Sequence, residues 1–414
     1  MLISGLKLQD CDKRLTNLLK QKREVQRTKR FPMITYESVT KTYGKGINSV
    51  TALDNVSFTI PKGEVVVFLG PSGCGKTTTL RLTNRLETLT RGIITIEDQP
   101  IMDLDVVQLR QRLGYVIQAI GLFPNKTIAE NIAVVPKLLR WDQERISKRI
   151  DELLEMVNLD PDLYRDRYPA ELSGGQQQRV GVARGLAADP SILLMDEPFG
   201  AIDPINREEI QDEFLKLQAK LKKTVAFVSH DIHEAIKMGD RIAIFEKGRL
   251  VQYDTPEIIL TQPKNKFVSD FVGGDRALKV LGLMRVSDII NRTPKNIIQG
   301  ADRSPDALHF LDTKGARYGI VLEENKPIGF VTQKALKYEQ GPVRDVVEPN
   351  PLLLREKTTL RDVLSSMLMY DTATICVVDG DKNFAGTVTY NDIQKAVKAS
   401  YADETEHVEA EAPS

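Results

Sequence analysis

From residue 34 to residue 62, apolar and polar residues alternate in "ITYESV" and "NVSFTI", the period of half-buried strands. "GEVVVFLG" at 63 to 70 drops the alternation and predicts a strand buried on both faces. Between about 105 and 170 the spacing turns helical. Ile146, Ile150, Leu153, Leu154 and Val157 fall at offsets that share one side of a helix. Buried strands return in "ILLMD", "TVAFVS" and "RIAIFEKG". This order predicts an α/β core carrying a helical insertion.

Beyond "TQPKNK" at 261 to 266 the character changes, and two segments echo one another. "YGIVLEENKPIGFVTQKAL" (318 to 336) and "TICVVDGDKNFAGTVTYNDI" (374 to 393) each read as strand, polar turn, glycine-bearing strand and helix start, with Gly329 and Gly386 in matching places. A tandem repeat domain is expected. The division is 1–32, a basic extension; 33–274, the α/β unit; 275–400, the repeat unit; and 401–414, an acidic tail with Asp403, Glu404, Glu406, Glu409 and Glu411 but no Lys or Arg. The extension, "KRLTNLLKQKREVQRTKR" with a weak stripe at Leu15, Leu18 and Leu19, reads as a solvated tail, a segment drawn to anionic lipid, or residues upstream of a natural start at Met33.

Composition narrows the classes. With 41% hydrophobic and 28% charged residues, the 414-residue chain reads as a globular protein of two or three units with no bilayer-long apolar run. Its 57 basic and 57 acidic residues give no general attraction to nucleic acid. Cys11, Cys74 and Cys376 are too widely spaced for a disulfide framework or a zinc site, which fits a reducing compartment, and no signal-peptide pattern opens the chain.

The chemistry begins at "GPSGCGKTT", which matches a phosphate-binding loop between a buried strand and a helix. Gly70, Pro71, Ser72, Gly73, Cys74, Gly75, Lys76, Thr77 and Thr78 form it; turned N–H groups and a helix amino terminus suit phosphate oxygens. Lys76 would reach the β and γ phosphates of ATP, and Thr77 would bind Mg²⁺. Asp196, ending "ILLMD", can hold the metal shell, and Glu197 can poise a water for attack as general base. His230, after another buried strand, can approach the γ phosphate. The bland alternatives are a structural glycine turn, strand-capping acids and a structural histidine.

"GPSGCGKT", "LSGGQ", "LLMDEP" and "SHD", in that order, resemble the ATPase subunits of ATP-binding cassette (ABC) transporters over residues 34 to 260. The resemblance implies a P-loop NTPase core with an antiparallel β subdomain and a helical insertion, working as a homodimer. In that family the cassettes pack head to tail, so Ser173, Gly174, Gly175 and Gln176 of one copy would close on the ATP held by the other, a helix starting near Gln176 supplying positive potential. Tyr43 matches the adenine-stacking aromatic, and Gln118 the glutamine that touches magnesium. Asp203 is retained in "GAID", where the family commonly begins with serine. Leu122, Phe123 and Pro124 match a groove gripping an integral membrane permease subunit, with ordinary local packing as the alternative. The implied location is peripheral, on the cytoplasmic face of the plasma membrane.

The repeats resemble a tandem CBS α/β domain of the kind carried by importers of glycine betaine, choline, carnitine or proline betaine, which also employ a separate substrate-binding protein. Thr389 and Asp392 fit the CBS adenine-nucleotide pattern; Thr332 fits it in the first repeat, where Ala335 replaces the aspartate. Cyclic di-AMP, an adenine nucleotide, ionic strength or mere dimerisation are the open readings for this domain. For the whole chain, the alternatives are a cassette serving an amino acid or inorganic ion, and a soluble nucleotide-responsive regulator.

Overall fold

The computed structural model describes residues 31–117, 121–200, 202, 204–349 and 352–401, with no side-chain description at 47 and 204–206. Gln118, Asp203, the basic extension up to residue 30 and the acidic tail from residue 402 lie outside the described residues. The described chain divides into two compact units, parting between Gly274 and Asp275.

In the first unit, β1 (Pro32–Tyr43) lies between β2 (Val50–Pro61) and β4 (Arg91–Ile96), antiparallel to both, and β5 (Gln99–Pro100) follows β4. The second sheet runs β10 (Arg249–Asp254), β9 (Arg241–Glu246), β3 (Val65–Leu69), β8 (Thr224–Val228), β7 (Ile192–Asp196), β6 (Leu113–Val116). All its pairings are parallel except that of β10 with β9. Every residue of β3, β7 and β8 is buried, as their uninterrupted apolar runs require. An aromatic core joins the two sheets. Tyr36 of β1 stacks on Phe58 of β2 at 4.3 Å, and Phe58 meets Phe68 of β3 edge-on at 5.7 Å. The buried Tyr36 hydroxyl is satisfied by Thr83 Oγ1 at 2.6 Å, in the last turn of α1 (Lys76–Thr83).

The helical insertion between β6 and β7 contains α2 (Ile128–Ile132), α3 (Gln143–Met156) and α4 (Gly174–Leu186). Ile146, Ile150, Leu153 and Leu154 form the buried stripe of α3, with Val157 as the buried cap residue just beyond its end. Arg149 of α3 donates to the carbonyls of Leu186 and Ala187, satisfying the end of α4. After β7 come α5 (Pro204–Leu221) and, following β8, α6 (Ile232–Met238).

The second unit opens with α7 (Arg276–Leu283) and contains the repeat twice. In the first copy β11 (Ile297–Gln299) and α8 (Ser304–Lys314) precede the hairpin β12 (Tyr318–Glu323) and β13 (Lys326–Thr332), followed by α9 (Gln333–Leu336). After β14 (Glu348–Pro349), the second copy has β15 (Leu353–Arg355), α10 (Leu360–Met369), β16 (Thr374–Val378), β17 (Phe384–Thr389) and α11 (Tyr390–Ser400). Each copy therefore begins one short parallel strand and one helix earlier than the hairpin that the sequence displays. The matching glycines allow close backbone crossing. At Gly386 (φ +149°) a Cβ would lie 2.5 Å from the Asn291 carbonyl oxygen, and at Gly329 it would collide with that of Glu348. The copies share a core of Ile320, Leu322 and Cys376, and Tyr318 bonds Thr374 across it at 2.7 Å.

Candidate nucleotide site

Three motifs converge because β3, β8 and β7 are parallel neighbours. The loop 70–75 leaves the carboxyl end of β3, Asp196 ends β7, and Ser229 and His230 follow β8. This edge is where parallel sheets hold ligands.

The loop backbone depends on its glycines. Gly70, Gly73 and Gly75 have φ of +146°, +78° and +106°, and a Cβ on Gly75 would lie 2.6 Å from the Ala52 carbonyl oxygen of β2. Gly75 is the N-cap of α1 and offers no side-chain acceptor to its first amides. Those N–H groups are donors in search of an anion. Lys76 is buried and folds back, its Nζ donating to the carbonyls of Gly70 (2.6 Å) and Pro71 (2.9 Å). A phosphate can replace these two neutral acceptors with charged ones. Pro71, Ser72 and Gly73 are exposed, whereas Thr77 and Thr78 are half-buried. Burial pushes the Cys74 thiol up, against the opposing pull of Lys76.

Thr77 Oγ1 lies 3.0 Å from Asp196 Oδ1. Burial raises Asp196 above the usual carboxylate range, while Thr77 and Arg81 counteract. A hydroxyl beside a buried carboxylate is a hard oxygen pair that fits Mg²⁺, whose remaining ligands would be phosphate and water. Among the described residues no cluster of three His, Cys, Asp or Glu could hold a metal by itself. Glu197 adopts a left-handed backbone, φ +46°, its N–H donating to the Val228 carbonyl at 3.2 Å. Other non-glycine residues of the chain, among them Glu97, Lys222 and Glu324, share this region, so the neighbours of Glu197, rather than its backbone, point to its role. Its Oε2 lies 3.6 Å from His230 Nδ1, and the imidazole is 61% exposed and free to meet a ligand. Beneath it, buried Glu234 accepts from Ser229 Oγ and from Gln211 Nε2, linking α6 to α5. The sequence reading missed Glu234, whose only local signal is its place one turn after His230.

Tyr43 ends β1, exposed, with Lys41 Nζ 4.5 Å from its ring centroid. Because Gly75 packs on Ala52 and Leu53 of β2, the hairpin end bearing Tyr43 stands beside the loop.

Ser173, Gly174, Gly175 and Gln176 are not gathered into this group. They line another cleft, of about 410 Å³, with Asn158, Tyr164 and Arg179. The helix starts at Gly174, two residues before the expected Gln176, because Ser173 is its N-cap. Ser173 Oγ accepts from Gln176 N at 3.3 Å and Gln176 Oε1 from Ser173 N at 3.0 Å, a reciprocal capping box. Leu122 is half-buried, while Phe123 and Pro124 are exposed.

In the second unit, Thr389 caps α11 and shares a capping box with Asp392, its Oγ1 donating to Asp392 Oδ2 at 2.6 Å. Thr332 caps α9 by accepting from Ala335 N at 3.2 Å, and Ala335 has no carboxylate to return. The spacing read as a nucleotide pattern is thus also a helix-capping pattern.

A glycine loop, an Asp–Glu strand end and a capped signature helix on this sheet define an ATP-binding cassette. The family described as ABC transporter matches residues 53–200, and the CBS domain family matches residues 343–399. The osmoprotectant import ATP-binding protein OsmV of Salmonella typhimurium is 47% identical over 359 residues, 86% of this chain and 94% of that protein. The carnitine transport ATP-binding protein OpuCA of Listeria monocytogenes is 44% identical over 392 residues, 92% of this chain and 97% of its own. The solved cbiO1 of Clostridium perfringens, part of the ABC transporter complex cbiONQ, superposes with a TM-score of 0.52 at 26% identity, covering 56% of this chain and 92% of that one. This chain belongs to the family of ABC transporter ATP-binding proteins that includes OsmV and OpuCA. It is an ATPase whose hydrolysis serves transport.

Proposed function

We propose that this chain is the motor subunit of an importer for quaternary amine osmoprotectants such as glycine betaine, carnitine, choline or proline betaine. The observation that carries this reading is that the likeness to the carnitine transport protein runs through both units rather than the cassette alone. Among the described residues no helix is long and apolar enough to cross a membrane. In this proposal integral membrane permease subunits carry the solute, docked at Leu122, Phe123 and Pro124 on the cytoplasmic face, and a separate substrate-binding protein selects it.

In this reading Lys76 and the backbone N–H groups of residues 72 to 78 hold the β and γ phosphates, and Tyr43 stacks on adenine. Thr77, Asp196 and Gln118 would hold Mg²⁺, which would supply positive charge against the transferring phosphoryl group. Glu197 takes the proton of the attacking water, and His230 orients the γ phosphate. Ser173, Gly174, Gly175 and Gln176 come from a second copy, a reading favoured by their lining a different cleft from the phosphate loop, and Asp203 serves cross-talk between the two nucleotide sites. Thr332, Thr389 and Asp392 form the regulatory position for cyclic di-AMP or an adenine nucleotide, whose phosphate would take the hydrogen that Thr389 Oγ1 now donates to Asp392 while the hydroxyl keeps accepting from Asp392 N–H.

The composite site is tested by mixing Lys76→Ala and Ser173→Arg chains, each nearly inactive alone. Heterodimers contain one intact site and should recover ATPase activity; heterodimers that form and stay inactive refute the shared site. The cargo is tested by deleting the chromosomal gene and following labelled carnitine, choline and glycine betaine at high osmolarity. Uptake should fall and return with the wild-type chain but not with Glu197→Gln, and undiminished uptake of all of them overturns the assignment.

A further inference from the structure

Residues 121–127 are anchored from two directions. Gly121 has φ +56°, and a Cβ there would collide with the Ile117 side chain. Its carbonyl accepts from the Arg184 guanidinium at 2.7 Å, a contact from the last turn of α4 across 63 residues of sequence. Two residues on, Phe123 N–H donates to Asn131 Oδ1 at 2.8 Å. The same Asn131, fully buried on α2, returns its amide hydrogens to the carbonyls of Phe123 (3.1 Å), Lys126 (3.1 Å) and Thr127 (2.9 Å). The turn from Phe123 to Thr127 therefore has its backbone groups clamped by one side chain. Phe123 itself stays 43% exposed.

The helix α4 is a rod with Ser173 capping one end and Arg184 near the other, about 16 Å apart at the helical rise. Val180, Val182, Ala183 and Leu186 are buried along it, and Arg149 ties its carboxyl end. A rod packed in this way moves as a body rather than bending. Motion imposed at Ser173 must reach Arg184, and through its bond to Gly121 the loop that presents Phe123.

We propose that Arg184 is a positioning residue linking the signature helix to the 121–127 loop, so that displacement of Ser173 on nucleotide-dependent pairing is passed to Phe123. This rests on the two-copy nucleotide site proposed above. Asn131 keeps the loop stiff enough to carry the displacement. Neither residue touches nucleotide, so both act on how closure is transmitted and not on whether nucleotide binds.

The test uses the full chain carrying Glu197→Gln and Phe123→Cys, with alkylation of residue 123 followed by peptide-resolved mass spectrometry with and without MgATP. Pairing is read separately by size exclusion. The parent should pair and change its labelling rate at residue 123 by about fivefold or more, the lower range of measured couplings. Adding Arg184→Gln should reduce that response to about twofold or less while pairing persists. Arg184→Lys, which keeps the charge, the stem and one donor, should restore part of it. Asn131→Asp, which keeps the acceptor for Phe123 N–H but loses the three donated bonds, should weaken the response with α4 untouched. A full response in Arg184→Gln overturns the link, as does a parent that pairs without any change at residue 123; a full response in Asn131→Asp removes the stiffening role of Asn131. A parent that does not pair removes the two-copy site, and the link with it.

Discussion

Ser173 caps its own helix while standing where a second copy's nucleotide is proposed to sit, and substitutions can separate these two jobs. Ser173→Ala removes the acceptor that Gln176 N–H uses at 3.3 Å, a long bond, so the loss should be about 0.5–1 kcal/mol. For a unit of this size that lowers the melting temperature by about 1–4 °C. Ser173→Asp keeps a side-chain acceptor at the N-cap and adds negative charge at the helix amino terminus, favourable by about 0.3–1 kcal/mol. The free chain should therefore melt no lower than wild type. A carboxylate facing phosphate about 4 Å away meets a repulsion of about 4 kcal/mol per unit charge at an effective dielectric near 20. That weakens nucleotide-dependent pairing by about 10³-fold. Scanning calorimetry without nucleotide should rank Asp at or above Ser, and Ser above Ala, whereas ATPase assays and MgATP-dependent pairing should place Asp last. Equal melting of the Asp and Ala variants would refute the cap, and hydrolysis above about a tenth of wild type in Ser173→Asp, far more than the repulsion allows, would refute the phosphate-facing position.

Glu197→Gln should retain ATP binding while hydrolysis falls by about 10²–10⁴-fold, and turnover near the wild-type rate would remove Glu197 as the base. Gly386→Ala places a Cβ 2.5 Å from the Asn291 carbonyl oxygen at φ +149° and should destabilise the second unit by about 1–3 kcal/mol, read as a lowered calorimetric transition. Burial lifts Glu234 above the usual glutamate range against the opposing bonds of Ser229 and Gln211, so the folded chain binds its proton more tightly than the unfolded chain. Stability from this group is greatest below its unfolded pKa and declines as pH rises through the folded value; Glu234→Gln should flatten that slope in denaturant titrations across the acid range.

What could be read along the chain follows from how far each contact reaches. The runs "VVVFL", "ILLMD" and "TVAFV" announce buried strands because a strand covered on both faces has no polar side to show. The phosphate loop is equally local: glycines, lysine and threonine act within one strand-to-helix turn. Short elements escape the same logic. "IIQ" and "LLR" are three-residue strands defined by parallel pairing to partners about twenty residues away, and three residues carry no period. The start of α4 was misplaced by two residues for a related reason. Two adjacent glycines argue against helix by propensity, and only the Ser173–Gln176 capping box makes them its first turn.

The site divides along the same line. Residues that would touch nucleotide lie in compact motifs, whereas those that connect the motifs do so through distant partners. Glu234 meets Gln211 across 23 positions and Arg184 meets Gly121 across 63, so neither pair has a spacing that could be recognised. "LSGGQ" raises the sharper case. Its string is distinctive, yet nothing in the string says that it faces a different cleft from the phosphate loop. One chain therefore offers a phosphate-binding loop without its second wall, and a capped helix end without phosphates. Two copies arranged head to tail satisfy both deficits at once. In the proposed arrangement closure would depend on nucleotide, because two surfaces built from N–H donors, a hydroxyl and Lys76 need charged phosphates between them. In the proposed pair, hydrolysis would cut the β–γ phosphoanhydride bond through which one ligand reaches both walls, so pairing would loosen once ATP has become ADP and phosphate.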